Sequence, residues 1–215
     1  SGEGKTTFLS IVNGIIPHIN GGHLTGKVFL DGEDVTKLSA GKRSRLAGSV
    51  LQNADDQIVY DKAEDEAAFG CENMNMPYEK MHKAVQNALK KMQINPDMST
   101  RTLSGGQKQR LITAATLAMG QRIILLDEPL ANLDPATGKR TIALIDDIMK
   151  DRDLTVVIIE HRLEDVLYRS VDRIVVVNEG TIIADEKPCD LLSGDVLIEQ
   201  GIREPLYLSA IRHAG

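Results

Sequence analysis

Two adjacent acids, Asp127 and Glu128, follow directly on the apolar run Ile123-Ile124-Leu125-Leu126 and precede Pro129. A buried strand that ends in two carboxylates is costly unless they meet a cation or water at the strand's carboxyl edge, where open α/β sheets place their ligands. Asp127 then suits a carboxylate that serves Mg2+, and Glu128 a general base for an attacking water. Two acids that only cap the next element have the same sequence. At the other end of the chain, Ser1-Gly2-Glu3-Gly4-Lys5-Thr6-Thr7 matches the end of the phosphate-binding loop pattern G-x-x-x-x-G-K-[ST]. Glycines there let backbone N–H groups turn inward around phosphates, and the adjoining helix adds its positive end. Lys5 would reach the β- and γ-phosphates and the Thr6 hydroxyl would hold Mg2+, which points to ATP and Mg2+ as the bound species. A glycine-rich turn that merely caps a helix carries the same residues. The first Gly of the pattern falls before Ser1, so the chain reads as N-terminally truncated.

These residues need elements to carry them. Apolar, β-branched runs at Val28 to Leu30, Val50 to Leu51, Ile123 to Leu126, Val156 to Ile159 and Ile174 to Val177 predict strands. Several are continuous, as in strands covered on both faces. Helical stretches lie between them at Lys5 to Asn13, Tyr78 to Met92, Gly105 to Ala118 and Pro135 to Lys150, an alternation that predicts an α/β core with a parallel sheet. The span 63–117 has no strong strand signal and reads as an inserted helical lobe. Met74, Met76, Met81, Met92 and Met98 concentrate there, as gap-filling core or, alternatively, as a binding surface. Asp31-Gly32 and Glu179-Gly180 each sit between short apolar runs and predict β-hairpin turns.

Leu103-Ser104-Gly105-Gly106-Gln107 opens a predicted helix, with Ser104 as its N-cap and two glycines exposing backbone amides to an anion. This LSGGQ string resembles the signature of ATP-binding-cassette ATPases. The resemblance implies a P-loop NTPase core with a parallel sheet, an antiparallel β subdomain and an inserted helical subdomain. It places one such domain over 1–200, lacking its N-terminal strands, and the start of a linker or C-terminal extension over 201–215. It also implies a sandwich in which Ser104, Gly105, Gly106 and Gln107 close over the nucleotide held by the Ser1–Thr7 loop of a second cassette. By the same resemblance Gln52 is similar to the Q-loop glutamine that reaches Mg2+ or the attacking water. Ala131-Asn132-Leu133-Asp134 is similar to the D-loop, with Asp134 at the nucleotide interface, and His161 to the switch histidine at the γ-phosphate. A lone His after a strand is ordinarily incidental, and its place in this series is what singles it out.

The subclass rests on three further stretches. Gln52 to Val59 with Glu64-Asp65-Glu66 and Phe69-Gly70, then Glu160 to Val166, then Gly201 to Tyr207, resemble energy-coupling factor transporter ATPases, the last of them resembling the segment after the first cassette in double-cassette members. That implies ATP hydrolysis coupled to uptake of a vitamin or a transition-metal ion. It implies as partners a second cassette, an integral-membrane coupling subunit and a substrate-binding membrane subunit, with the chain peripheral on the cytoplasmic face of the cell membrane. Asp55, Asp56, Asp61 and Glu64 would pair with Arg on a coupling helix, or simply form a solvated acidic surface. A soluble member acting on ribosomes or DNA is the alternative. Gln107 and the Ala131-Asn132-Leu133-Asp134 string argue against the ribosomal kind, and the lack of a charged heptad insertion before the signature argues against the repair kind. The net charge of -6 and pI near 5.4 likewise oppose a duplex nucleic-acid binder. Cys71 and Cys189 stand isolated, without zinc-ligand spacing or a disulfide framework. No run approaches the roughly 18 apolar residues of a membrane span, so a membrane partner would be a separate subunit.

Overall fold

In chain order the elements are α1 (Lys5–Val12), β1 (Phe29–Leu30), β2 (Glu33–Asp34), α2 (Ala40–Arg43), β3 (Ala47–Val50), α3 (Ala63–Asn73), α4 (Tyr78–Lys91) and α5 (Gly105–Ala118). They continue with β4 (Ile123–Asp127), α6 (Pro135–Asp151), β5 (Thr155–Ile159), α7 (Leu163–Val166), β6 (Ile174–Asn178), β7 (Thr181–Glu186), α8 (Pro188–Ser193) and α9 (Val196–Glu199). The computed structural model describes residues 4–131, 133–151, 153–208 and 210.

Strands β3, β4 and β5 form a parallel sheet with β4 in the middle. Val50 pairs with Leu126 and Asp127 with Ile159, so the carboxyl ends of all three strands lie side by side. The two-residue period of a strand sends alternate side chains to opposite faces. Ile124, Leu126, Val156 and Ile158 enter a core shared with α3 to α6, while Ile123, Leu125, Val157 and Ile159 pack with Leu9 and Val12 of α1. Double coverage explains why β4 and β5 are continuously apolar.

The helices of the inserted lobe are held by small residues on one face. Ala63, Ala67 and Cys71 of α3 meet Val85, Ala88 and Leu89 of α4 and Leu111, Ala114 and Ala118 of α5 in one buried core. Met92 is fully buried in it, and Met76, Met81 and Met98 pack against it, which is the gap-filling role; Met74 instead ends α3. Both expected hairpins are present. Asp31 and Gly32 have φ of 51° and 79°, and Glu179 and Gly180 of 47° and 74°, the paired left-handed residues that match strand twist in a two-residue turn. The antiparallel strands fall in two separate two-stranded sheets, β1–β2 and β6–β7. No helix among the described residues is long and apolar enough to cross a membrane.

One strand departs from expectation. β3 starts at Ala47 and stops before Leu51, instead of covering Val50 to Leu51. Gly48 explains the early start: a Cβ there would sit 2.4 Å from Thr116 Cγ2, so the strand needs glycine where α5 crosses it. The Leu51 N–H leaves the ladder and donates to Gln57 Oε1 at 2.7 Å, while Gln57 Nε2 donates to the Ser49 carbonyl at 3.2 Å.

Candidate active site

The parallel register puts three loops at one edge of the sheet. Glu128 lies between the other two: its Oε2 accepts from Gln52 Nε2 at 2.8 Å, and its Oε1 lies 3.0 Å from His161 Nε2. Glu128 takes φ of 45°, a left-handed conformation unusual for a residue with a Cβ, and its N–H donates to the Ile159 carbonyl at 2.9 Å. The chain therefore turns sharply out of β4 with the carboxylate fixed on either side. Asp127, the last residue of β4, is buried. Burial raises its carboxyl above the ordinary range and the neighbouring Glu128 raises it further, while His161 and Lys5 oppose the shift. Lys5 and His161 thus lie within electrostatic reach of the same acid.

Lys5, Thr6 and Thr7 form the first turn of α1, which starts behind Gly4 with φ of 91°. Ser1, Gly2 and Glu3 lie outside the described residues. A helix start has N–H groups without intrahelical partners and the positive end of the dipole, and no acid occupies this first turn. The far end of α1 is fastened by Arg43, which the sequence does not single out. Its guanidinium is fully buried and donates to the carbonyls of Ile11 (2.5 Å), Val12 (3.2 Å), Thr36 (2.9 Å) and Leu38 (3.0 Å). Gly14 lets it pass, since a Cβ there would meet Arg43 Cδ and Nε at 3.0 Å.

The residues Ser104 to Gln107 sit at the start of α5. Ser104 Oγ accepts the Gln107 N–H at 3.3 Å, and Gln107 Oε1 accepts the Ser104 N–H at 2.8 Å, a reciprocal capping box. Among the described residues, no hydrogen bond or ion pair joins Ser104–Gln107 to Gly4–Thr7. A cleft lined by Gln52, Asp55, Gly105, Lys108, Glu128 and Leu133 brings this helix start next to the Glu128 loop instead. Asp134 is spent locally: its Oδ1 accepts the N–H groups of Ala136 and Thr137, each at 3.0 Å, which caps α6 and lowers its pKa. Asn132 lies outside the described residues.

The family model described as "ABC transporter" matches residues 1–131, and one described as "ATP-binding cassette cobalt transporter" matches residues 194–215. This chain belongs to the ABC transporter family. An ABC transporter ATP-binding protein of Enterococcus faecalis is 46% identical over 217 residues, which cover 100% of this chain and 38% of that protein. A relative from Streptococcus mutans is 44% identical, with 39% of its length covered. The chain therefore spans about two fifths of these curated relatives. Among solved structures, cbiO1 from Clostridium perfringens, part of the ABC transporter complex cbiONQ, superposes with a TM-score of 0.81 at 29% identity. That match covers 99% of this chain and 84% of cbiO1. The cassette MJ0796, solved as a dimer in a post-hydrolysis state bound to ADP and Pi, gives 0.72 at 26% identity over 86% of this chain and 81% of that one. The fold is that of an ABC ATPase.

The cassette's residues fit the nucleotide and Mg2+ that this family binds. No cluster of three or more His, Cys, Asp or Glu that could hold a metal ion occurs among the described residues. Mg2+ commonly takes one or two carboxylates and completes its shell with substrate phosphates and water, and the buried Asp127, raised by its surroundings, is a carboxylate that gains from a cation. Gly4 takes φ of 91°, a conformation that favours glycine, and a Cβ there would lie 3.4 Å from Gly180 Cα.

The acidic segment, read from sequence as open either to an outside arginine or to solvent, holds ion pairs of its own. Asp55 pairs with Lys108 at 2.5 Å, Asp61 with Arg101 at 2.6 Å and Glu64 with Lys62 at 3.0 Å, so three of the four carboxylates offered to an outside arginine are answered within the cassette. Two of the bases, Arg101 and Lys108, come from the turn before α5 and from α5 itself, while Lys62 stands at the start of α3, two residues before Glu64. Sequence reasoning used Glu160 and Arg162 only within the stretch from Glu160 to Val166 that carries the subclass resemblance, and gave neither a place at the site.

Proposed function

We propose that this cassette hydrolyses ATP with Mg2+ and so powers a membrane transporter of the energy-coupling factor type, which takes up a transition-metal ion, with cobalt the first candidate. The observation that carries the hydrolysis is Glu128, held between Gln52 and His161 beside the buried Asp127. A carboxylate fixed on both sides would take a proton from water, with His161 to steady a phosphate oxygen and Gln52 to orient the water. Lys5 and Thr6, with backbone amides of the loop from Ser1 to Thr7, would hold the phosphates, and Thr6, Gln52 and Asp127 the cation. Mg2+ neutralises charge developing between the phosphates. Ser104, Gly105, Gly106, Gln107 and Asp134 would meet the nucleotide of a second cassette, on the same chain or another.

The metal-ion reading draws on the cobalt-transporter match over 194–215 and on the likeness to cbiO1. It brings an integral-membrane coupling subunit and a substrate-binding subunit as partners, a peripheral position on the cytoplasmic face, and no nucleic acid. Residues 1–200 serve as the ATPase domain, and 201–215 begin a linker or C-terminal extension. In the complete protein, Glu128→Gln should nearly abolish phosphate release while ATP still binds; unchanged release would remove Glu128 as the base. Extraction from native membranes in mild detergent should recover a small integral-membrane subunit, and the vesicles should accumulate labelled Co2+ with ATP. Recovery of ribosomes or DNA instead would refute the transporter.

A further inference from the structure

We infer that Glu160 and Arg162 are positioning residues that join the His161 loop to the Glu128–Leu133 loop as one rigid unit, an inference that rests on the ATPase reading above. Glu160 Oε1 accepts the Leu130 N–H at 2.7 Å, and its Oε2 accepts the N–H groups of His161 at 3.1 Å and Arg162 at 3.3 Å. Arg162 returns the grip. Its Nη1 donates to the carbonyls of Leu130 at 2.7 Å and Leu133 at 2.8 Å, and its Nε donates to Asp165 Oδ2 at 2.7 Å. Nη2 approaches that same oxygen at 2.5 Å as an ion pair without good hydrogen-bond angles.

The clamp has a physical task. Glu128 sits at φ of 45°, a strained conformation that a non-glycine residue keeps only where its surroundings over-determine it. The loop after it has few ladder bonds of its own, because β4 ends at Asp127. Glu160 and Arg162 supply partners to both polar groups of Leu130 and to the Leu133 carbonyl, while the Leu130 side chain is buried against Ile142 and Val166. Gly138 admits the guanidinium over α6, since a Cβ there would lie 3.2 Å from Arg162 Nη2. His161 stands between the two clamp residues, so a shift of either loop moves His161 and Glu128 together, along with the start of the Ala131–Asp134 segment. Neither clamp residue is within hydrogen-bond distance of Glu128 or His161 side chains, so they act through the backbone.

The test uses the complete protein with Glu160→Gln, Arg162→Met and the conservative Arg162→Lys, and reads four quantities: ATPase kcat, equilibrium ATP Kd, Tm, and amide exchange of the 128–134 peptide by mass spectrometry. The expected result is faster exchange, kcat reduced on the order of 10- to 100-fold, and Kd within about twofold of wild type, with Arg162→Lys intermediate. Faster exchange with unchanged kcat overturns the inference, and so does unchanged exchange. A parallel fall of Tm, affinity and kcat overturns it too, by reducing the clamp to a general brace. An inactive wild type refutes the ATPase reading and takes the positioning role with it, whereas an active wild type with indifferent variants refutes the positioning role alone.

Discussion

Replacing Arg43 with Met should cost the fold roughly 3–5 kcal/mol, because the guanidinium is fully buried and surrounded by carbonyls instead of a carboxylate. Four acceptors lose a charged donor. Ile11 keeps a second partner in the Gly14 N–H at 3.2 Å, which leaves the Val12, Thr36 and Leu38 carbonyls most exposed to the loss. Each unsatisfied buried group costs about 1–3 kcal/mol, and the sum is offset by no longer desolvating a cation, the same desolvation that lowers the arginine's pKa. Urea unfolding of the nucleotide-free protein measures this directly, with an unchanged m-value showing that the two end states are preserved. Because Arg43 holds the C-terminal end of the helix whose first turn carries Lys5 and Thr6, ATP affinity should fall as well. Arg43→Lys should be intermediate, since one ammonium cannot reach all four carbonyls. A loss below about 1 kcal/mol for Arg43→Met would refute the reasoning.

The metal-free protein should be stabilised by Asp127→Asn on the order of 1 kcal/mol near neutral pH, as when a strained functional group is relieved. The folded-state pKa of Asp127 lies above its unfolded value, so its penalty is absent below the unfolded pKa and grows as pH rises through the folded one; in EDTA the variant's gain in Tm should therefore vanish toward acid pH. Gly48→Ala should destabilise by about 1–3 kcal/mol in urea, since its methyl would meet Thr116 Cγ2 at 2.4 Å and Gln121 Oε1 at 3.0 Å. Ser104→Ala removes the α5 cap and should lower stability by about 1 kcal/mol in the same assay.

The chain's chemistry is legible where function requires an unusual residue in a short window, and illegible where the requirement is met across the fold. Asp127-Glu128 after four apolar residues, Ser104 to Gln107 at a helix start and both left-handed hairpin turns can be placed from local pattern alone. Arg43 cannot. It sits among three bases in Gly41-Lys42-Arg43-Ser44-Arg45, where no motif marks it, and only the packing of the connection between β2 and α2 against the end of α1 buries it among carbonyls. Strand β3 escapes local pattern for a related reason, since Ala47-Gly48-Ser49 lacks the β-branched signal and is a strand because it pairs in parallel with Ile123 to Leu125 of β4. The Asp55, Asp61 and Glu64 carboxylates look available to a partner because their bases, Lys108, Arg101 and Lys62, are separated from them in sequence or oriented by turns that no periodicity reveals.

The two glycines of the α5 start stand in different surroundings, and the difference makes the proposed second-cassette contact testable. A Cβ on Gly106 would lie 3.0 Å from Leu133 Cδ2 and 3.2 Å from Thr137 Cγ2, so glycine there lets α5 lie close against the loop and helix beyond Glu128. A Cβ on Gly105 would meet nothing within 4 Å, and nothing among the described residues accounts for its lack of a side chain. The second cassette proposed above would account for it, since exposed amides at a helix start suit a phosphate. Gly106→Ala should therefore lower the urea midpoint by crowding Leu133. Gly105→Ala should leave stability unchanged or raise it by up to about 1 kcal/mol, because Ala is the better helix former, yet reduce ATP turnover by interfering with the nucleotide of a second cassette. Equal loss of stability in the two variants, or full turnover in Gly105→Ala, would show that the α5 start is a packing feature and that the nucleotide is met elsewhere.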